Sequence, residues 1–336
     1  MKKRNVILFF AALFLIIGSA SGLRAADEVK AVPVAGGLYL MEGLQGGNVV
    51  FLVTDEGVLV VDSGTSPEQG KLVMDEIAKK TDKPVKYLVL THYHGDHTFG
   101  LQAFPAPAVI ISQQNTADNM RKLNEPRLRG MMEKQMPEMV AAQKIKVDKL
   151  RKKKGKDLKK EEERLKMLEA QFAELKELRF VYPAITYDSK LRIDLGGQEI
   201  EVIYPGPAHT NGNSLVYFPG LKVVHMGDLF FNGLLPYIGA EAGADTANWL
   251  AKLKEVSGWD VEKFIPGHGP LSDKEGLLRL AAYLGDLRQA VQTAIAAGQT
   301  LEQAKKMAPL PAWKDLKWQE MFPRNVEAVY NELSKK

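Results

Sequence analysis

Three of the six histidines in this chain fall within six positions, in Thr91-His92-Tyr93-His94-Gly95-Asp96-His97. The run leading into them, VKYLVLTH over residues 85–92, reads as a strand buried on both faces. Chemistry carried on the loop after a buried strand is an α/β arrangement. Alternation along an extended segment places His92 and His94 on one side. Asp96 and His97 lie just beyond, where Gly95 permits a sharp turn. A lone histidine on an apolar face is ordinarily a packed core residue. Three with an aspartate in one short loop read instead as a ligand cluster able to serve two neighbouring divalent cations.

Further ligands are expected on loops that follow other strands. His209 stands in Pro205-Gly206-Pro207-Ala208-His209, after a strand ending at Tyr204. Asp228 follows KVV in His225-Met226-Gly227-Asp228, and His268 follows KFI in Pro266-Gly267-His268-Gly269. Each has an apolar strand before it and Gly or Pro beside it. His225 lies within its strand and reads as a residue that supports the ligands or the core. The chain has no cysteine. That excludes thiolate ligands, a disulfide framework and lipid attachment through cysteine, so a metal here is held by nitrogen and oxygen.

HYHGDH resembles the H-x-H-x-D-H signature of the metallo-β-lactamase superfamily, and His209, Asp228 and His268 resemble its remaining ligand positions in order and context. The likeness extends over roughly residues 35–270. It implies an αββα sandwich with the metals at one edge of two sheets. It also implies His92, His94 and His209 on a first metal, Asp96, His97 and His268 on a second, and Asp228 bridging the two. Asp62, in Val61-Asp62-Ser63-Gly64, is similar to the family's acidic residue behind the ligands and is expected to fix the position or tautomer of one of them. The family usually takes zinc, and some members take iron or manganese. Two such ions hold a water as hydroxide at neutral pH and polarise the substrate oxygen, with Asp96 placed to orient the nucleophile.

The rest of the chain reads as the frame for that site. LYLMEG, NVVFLVTD and GVLVVDSG, between 38 and 62, are successive short strands, and a helix follows over about 67–80. Strands resume at 185–204, with a turn at Gly196-Gly197, and again at 213–228. A helix near 246–256, a strand around Phe264 and helices to the C-terminus complete two mixed sheets with helices outside. Residues 114–180 differ: they are strand-free and charged, with Leu158, Leu165, Leu168, Phe172 and Leu175 at helical spacing. They read as an inserted helical arm with breaks near Pro126, Pro137 and Gly155. Between 121 and 180 there are 19 basic and 11 acidic groups. The plain reading is a solvated face. The sharper one is a contact with a membrane surface, a cell-wall polymer or a second subunit.

Lys2, Lys3 and Arg4, an apolar run from Val6 to Ile17 and then small residues have the form of a signal peptide over residues 1–25. The expected product is periplasmic or extracellular, with a domain over 30–310 and a helical tail over 311–336. Without those 25 residues the chain has 41 basic and 41 acidic groups, so its basic balance does not argue for a nucleic-acid partner. The expected activity is hydrolysis of an ester, thioester, lactone, phosphodiester or amide-type bond in a small molecule. Asp228 stands where true metallo-β-lactamases usually carry Cys or Ser, which resembles glyoxalase II and related hydrolases and makes β-lactam cleavage the alternative. A sulfatase would call for further C-terminal domains. A non-catalytic binding protein on this scaffold would be expected to have lost ligands, and all seven are present. Asn213, Asn232 and Tyr237 are candidate substrate-lining residues, and Phe231 is a candidate for either cleft or core.

Overall fold

The computed structural model describes residues 29–334; the signal segment read over 1–25 lies outside them. The described residues begin with four antiparallel strands, β1 (Lys30–Ala35), β2 (Leu38–Glu42), β3 (Val50–Thr54) and β4 (Gly57–Val61). Helix α1 (Pro67–Ala78) follows, its first turn fixed by Ser66, whose side chain accepts from the Gln69 amide, and by Pro67, which presets the helical φ. The buried strand β5 (Val85–Leu90), the short helix α2 (Gly95–Thr98), β6 (Val109–Gln113) and, after the arm, β7 (Ile185–Tyr187) complete a seven-stranded sheet in sequential order. From β4 onward its strands run parallel.

The arm leaves β6 as an almost continuous rod: α3 (Gln114–Asn119), α4 (Glu125–Gly130) and α5 (Met136–Lys153), joined by five-residue π turns at Met120–Asn124 and Met131–Gln135. The expected breaks at Pro126 and Pro137 are therefore corrected. A proline cannot donate to the i−4 carbonyl. Here the helix widens to i→i−5 bonding before each one, Glu125 N–H to Met120 O and Met136 N–H to Met131 O, and then continues. The break at Gly155 is real: Lys154 adopts a left-handed conformation, and α6 (Leu158–Glu177) returns antiparallel along α5. The spaced residues Leu158, Leu165, Leu168, Phe172 and Leu175 are all half-buried on α6.

The second sheet comprises β8 (Lys190–Leu195), β9 (Gln198–Ile203), β10 (Leu215–Phe218), β11 (Val223–His225) and β12 (Lys263–Ile265), ordered β12-β11-β10-β9-β8. Helix α7 (Thr246–Val256) lies between β11 and β12 in sequence, and α8 (Lys274–Ala296), α9 (Leu301–Ala304) and α10 (Phe322–Leu333) close the chain. Period-two alternation builds the layers. Leu38, Leu40, Leu52, Leu59 and Val61 face inward against Ile200, Val202, Val216 and Val223 of the other sheet. Their neighbours Phe51, Val58, Val60 and Leu88 face outward onto Val73 and Ile77 of α1. Beyond the second sheet, Trp249, Leu253, Tyr283, Leu284, Phe322 and Val326 form the other helical layer. The result is the expected αββα sandwich. Strands β1 and β6 were not apparent from sequence. Residues 311–334 are more than a tail, because Lys317 pairs with Leu234 and α10 is packed into the core. Among the described residues no helix is long and apolar enough to cross a membrane.

Trp249 ties this layer to the site, as it is fully buried, donates to the Leu229 carbonyl at 2.9 Å and stands edge-on to His209. Trp249→Ala is expected to cost about 3–5 kcal/mol in a guanidinium unfolding titration. A loss below about 1 kcal/mol would show that the layer does not depend on it.

Candidate metal centre

The ends of strands from both sheets bring the polar residues together. HYHGDH follows β5, His209 follows β9, Asp228 follows β11 and His268 follows β12. Backbone bonds lock these loops to one another: Ser214 N–H to Thr91 O at 2.7 Å, Gly267 N–H to Gly227 O at 2.7 Å, and Asn48 N–H to Gly267 O at 2.7 Å. The approach is too close for side chains at two glycines. A Cβ on Gly267 would lie 2.0 Å from Asp228 Oδ1, and one on Gly47 would lie 2.3 Å from the His97 ring.

All seven predicted ligands meet there, in two groups. In the first, His94 Nδ1 lies 2.9 Å from His92 Nε2 and 3.0 Å from His209 Nε2. Asp228 Oδ2 is 3.6 and 3.4 Å from His92 and His209. In the second, Asp96 Oδ2 is 3.5 Å from His97 Nε2 and 3.1 Å from His268 Nε2. Asp228 reaches this group too, with Oδ1 3.2 Å from His97 Nε2 and Oδ2 3.4 Å from His268 Nε2. Its two carboxylate oxygens thus lie within 3.6 Å of imidazole nitrogens in both groups.

The donor set fits divalent cations. Separations near 3 Å are close to the spacing of ligand atoms held about 2.0–2.2 Å from one ion. Three imidazoles turn their other nitrogen outward to an oxygen. His97 Nδ1 donates to Asp62 Oδ2 at 2.7 Å, His209 Nδ1 donates to the Tyr237 carbonyl at 2.8 Å, and His92 Nδ1 meets Thr91 Oγ1 at 3.1 Å. Each leaves its Nε2 free to face the shared space. His97 Nε2 and Asp228 Oδ1 are buried without a hydrogen-bond partner among the described residues, which costs about 1–3 kcal/mol apiece unless a cation answers them.

Electrostatics separate the two halves. Burial pushes His92 well below the usual histidine range and His209 down to about 4, so both stay neutral as ligands must. Burial also presses on His268, but Asp228 and Asp96 outweigh it and hold it up at about 9; His97 is raised well above its usual value against the same burial by Asp228, Asp96 and Asp62. Burial raises Asp96, yet His97 and His268 prevail and bring it down to about 2. In this half the carboxylates of Asp62, Asp96 and Asp228 crowd two imidazoles, His97 and His268, a donor set that a cation can satisfy in place of protons.

The supporting residues divide differently from expectation. Asp62 is fully buried and bound to the Thr91 amide, the Thr91 hydroxyl and His97, so it orients a ligand and cannot touch a substrate. Its φ of 64° is strained for a side-chain-bearing residue and is held by those bonds. Asn213 does not line a cleft: it is buried, accepts from Thr210 and donates to the Gly206 and Thr210 carbonyls, bracing the His209 loop. Asn232 similarly braces the His268 loop, donating to Pro270 O. Phe231 is core, stacked on His268 at 5.1 Å. Tyr237 stands at the mouth, its ring 5.4 Å from His94, but its hydroxyl is engaged, donating to Glu241 and accepting from Arg324. His225 stays outside both groups, bonded to Asn48 O and the Gly227 amide.

Sequence reasoning missed Glu241, whose carboxylate is 3.7 Å from His94 Nε2 and accepts from Tyr93 and Tyr237. It also missed Trp318, edge-on to His268 at 5.3 Å. Neither has a local signal, since both arrive from segments remote from any motif. Because Asp62 holds His97, Asp62→Ala is expected to weaken the metal bound at His97 by about 10–100-fold in a competitive chelator titration, with a smaller loss at the His92–His94–His209 site, which Asp62 reaches only through Thr91. Equal affinity in the variant would contradict the role given to Asp62.

Residues 43–268 match the sequence profile of the metallo-beta-lactamase superfamily. A type 2 metallo-beta-lactamase of Elizabethkingia meningoseptica is 25% identical over 292 residues, which is 83% of this chain and 95% of that protein. A linear primary-alkylsulfatase of a Pseudomonas species is 25% identical over 232 residues, 66% of this chain and 41% of that protein. Among solved structures, a metallo-beta-lactamase from Pontibacter korlensis superposes with a TM-score of 0.53 at 19% identity, covering 77% of this chain and 99% of that one. A stereoselective inverting sec-alkylsulfatase from a Pseudomonas species gives a TM-score of 0.66 at 18% identity, covering 91% and 50%. The chain thus spans half or less of these sulfatases, and at such identities structural likeness speaks to fold alone. The superfamily match together with the seven converging donors leads to one conclusion: this chain belongs to the metallo-beta-lactamase superfamily and is a metal-dependent hydrolase.

Proposed function

We propose that the protein is an exported zinc hydrolase that cleaves an ester-type bond in a small molecule, whether carboxylic ester, thioester, lactone, phosphodiester or amide-like. The observation that carries this reading is Asp228, a buried carboxylate in reach of both donor groups. His92, His94 and His209 would hold one cation, Asp96, His97 and His268 the other, with Asp228 shared. A cation pair so bound supplies ionised water at neutral pH and a Lewis acid for the substrate oxygen. The chain's own residues do the positioning. His94, Asp96 and His268 keep 12%, 14% and 9% of their side chains exposed, against 0–4% for the other four ligands, so substrate approaches over those three. Asp96 can accept a hydrogen bond from an attacking water there. Phe231 and Trp318 shield the His268 side with apolar surface. Export rests on the pattern of residues 1–25 alone.

The carboxylate at 228 favours the ester and thioester hydrolases over β-lactam cleavage. One observation keeps the latter as a second reading: a type 2 metallo-beta-lactamase aligns with this chain over 95% of its own length. The alkylsulfatase similarity adds a sulfate ester to the substrates worth assaying.

Zinc-reconstituted protein is expected to turn over at least one of a panel comprising a carboxylic ester, a thioester, a phosphodiester, an alkyl sulfate and a cephalosporin. Chelation should abolish that turnover and zinc restore it. His94→Ala should lose bound metal and at least about a hundredfold in kcat/KM together. Full activity after chelation, or in His94→Ala, would overturn the reading. A cephalosporin outpacing every ester would select the second one.

A further inference from the structure

The arm is rooted on the loops that carry the ligands. Asn115 donates to Asn211 O at 2.8 Å, Thr116 to Gly212 O at 2.7 Å and Asn119 to Asn211 Oδ1 at 2.7 Å, two and three residues from His209. Asn124 donates to the carbonyl of Tyr93, between His92 and His94, at 2.9 Å. These bonds fix the first part of the rod over the metal centre. The two π turns fall in this same stretch, at Met120–Asn124 and Met131–Gln135. Such turns are rare and gather at functional sites because each re-aims the side chains around it.

Between the rod, the C-terminal half of α6 and the start of α1 lies an open cleft of about 160 Å³. That is below the roughly 300–1,000 Å³ of a whole small-molecule site, so the cleft has room for one slender part of a ligand and not for all of it. Its apolar walls are Leu128 and Met131 from the rod, Leu175 and Leu178 from α6 and its following turn, and Phe99 from the metal loop. Leu128 and Met131 are each only 3% exposed. Arg127 and Glu174 are exposed at the rim. The cleft contains no ligand residue, but it adjoins the loop that carries them and borders one, Asp96. Phe99 packs on Gly95, where a Cβ would meet its ring at 2.4 Å, and Thr65 borders Gly46, whose Cβ would lie 2.3 Å from Thr65 Oγ1 and 2.9 Å from Asp96 Cβ.

We propose that this cleft is a second part of the substrate site and holds an aliphatic chain, whose cleavable end reaches the metal centre past Thr65 and Asp96. The Leu and Met walls recognise by dispersion and conform to a flexible chain better than to a rigid polar ring. The arm is then a wall of the site, and its charge sits on the face turned to solvent. The assignment rests on the hydrolase reading for the chemistry at the cleavable end, but not for the binding of the chain itself.

Two variants narrow the cleft from opposite walls, Met131→Trp and the half-buried Leu175→Trp, each checked for an unchanged Tm. In the zinc-loaded full-length protein, KM for p-nitrophenyl octanoate is expected to lie below that for p-nitrophenyl acetate by about tenfold or more. Each variant should raise the octanoate ester KM by about tenfold and leave the acetate ester within about twofold. Isothermal titration of free octanoate into metal-free protein should show binding that both variants weaken and that acetate does not reproduce. A KM independent of chain length, or folded variants that bind octanoate as the parent does, would overturn the proposal. If no ester is turned over at all, the hydrolase reading fails for these bonds, and the octanoate titration alone decides the cleft.

Discussion

A single buried carboxylate holds this molecule's functional end together. Asp228 lies within 3.2–3.6 Å of imidazole nitrogens from His92, His97, His209 and His268, which arrive on three loops from two different sheets. An isolated charge in such a place is untenable without compensation. Its position therefore explains why the surrounding backbone is so tightly specified. Gly227 takes a positive φ, with Thr91 where a Cβ would need to go, and Gly267 leaves room for the carboxylate itself. The sandwich supplies the rigidity: of the strands that end at the site, β5, β11 and β12 are buried over most of their length, and backbone bonds between the loops prevent them from drifting apart.

Orientation is assigned to a separate set of groups. Asp62, strained in φ and wholly enclosed, fixes the His97 ring, while the Tyr237 carbonyl and the Thr91 hydroxyl serve His209 and His92. The structure thus divides the work between residues that grip and residues that aim. Two of the residues that aim, Asp62 and Thr91, are bonded to each other, so the HYHGDH loop and β4 move as one unit.

The ligands were legible because their chemistry is rare and local: histidines are few here, and each ligand follows an apolar strand beside Gly or Pro. The two-sheet fold was legible from the β-branched and aromatic runs of β2–β4, each bounded by Gly or an acidic turn, and from the apolar face of α1. Strand β6 was not, since five residues behind a proline-rich turn give little periodicity. The proline breaks in the arm were misread because sequence rules assume i→i−4 bonding, and the helix escapes through π turns. Asn213 and Asn232 sit next to ligand-bearing segments, but proximity in sequence did not reveal that their amides are spent on loop carbonyls. Glu241, Trp318 and the arm's asparagines reach the site only through tertiary packing.

The same packing gives the arm and the C-terminal segment a place in the site that their composition hides. One supplies Asn124 to the metal loop, and the other lays Trp318 against His268. The central claim remains the paired metal centre. Anomalous diffraction at the zinc absorption edge, on crystals of reconstituted protein, tests it directly. Two peaks are expected, one about 2.0–2.2 Å from the facing atoms of His92, His94 and His209 and the other equally near Asp96, His97 and His268, with Asp228 between them. A single peak at full zinc saturation, or zinc bound away from Asp228, would contradict the account.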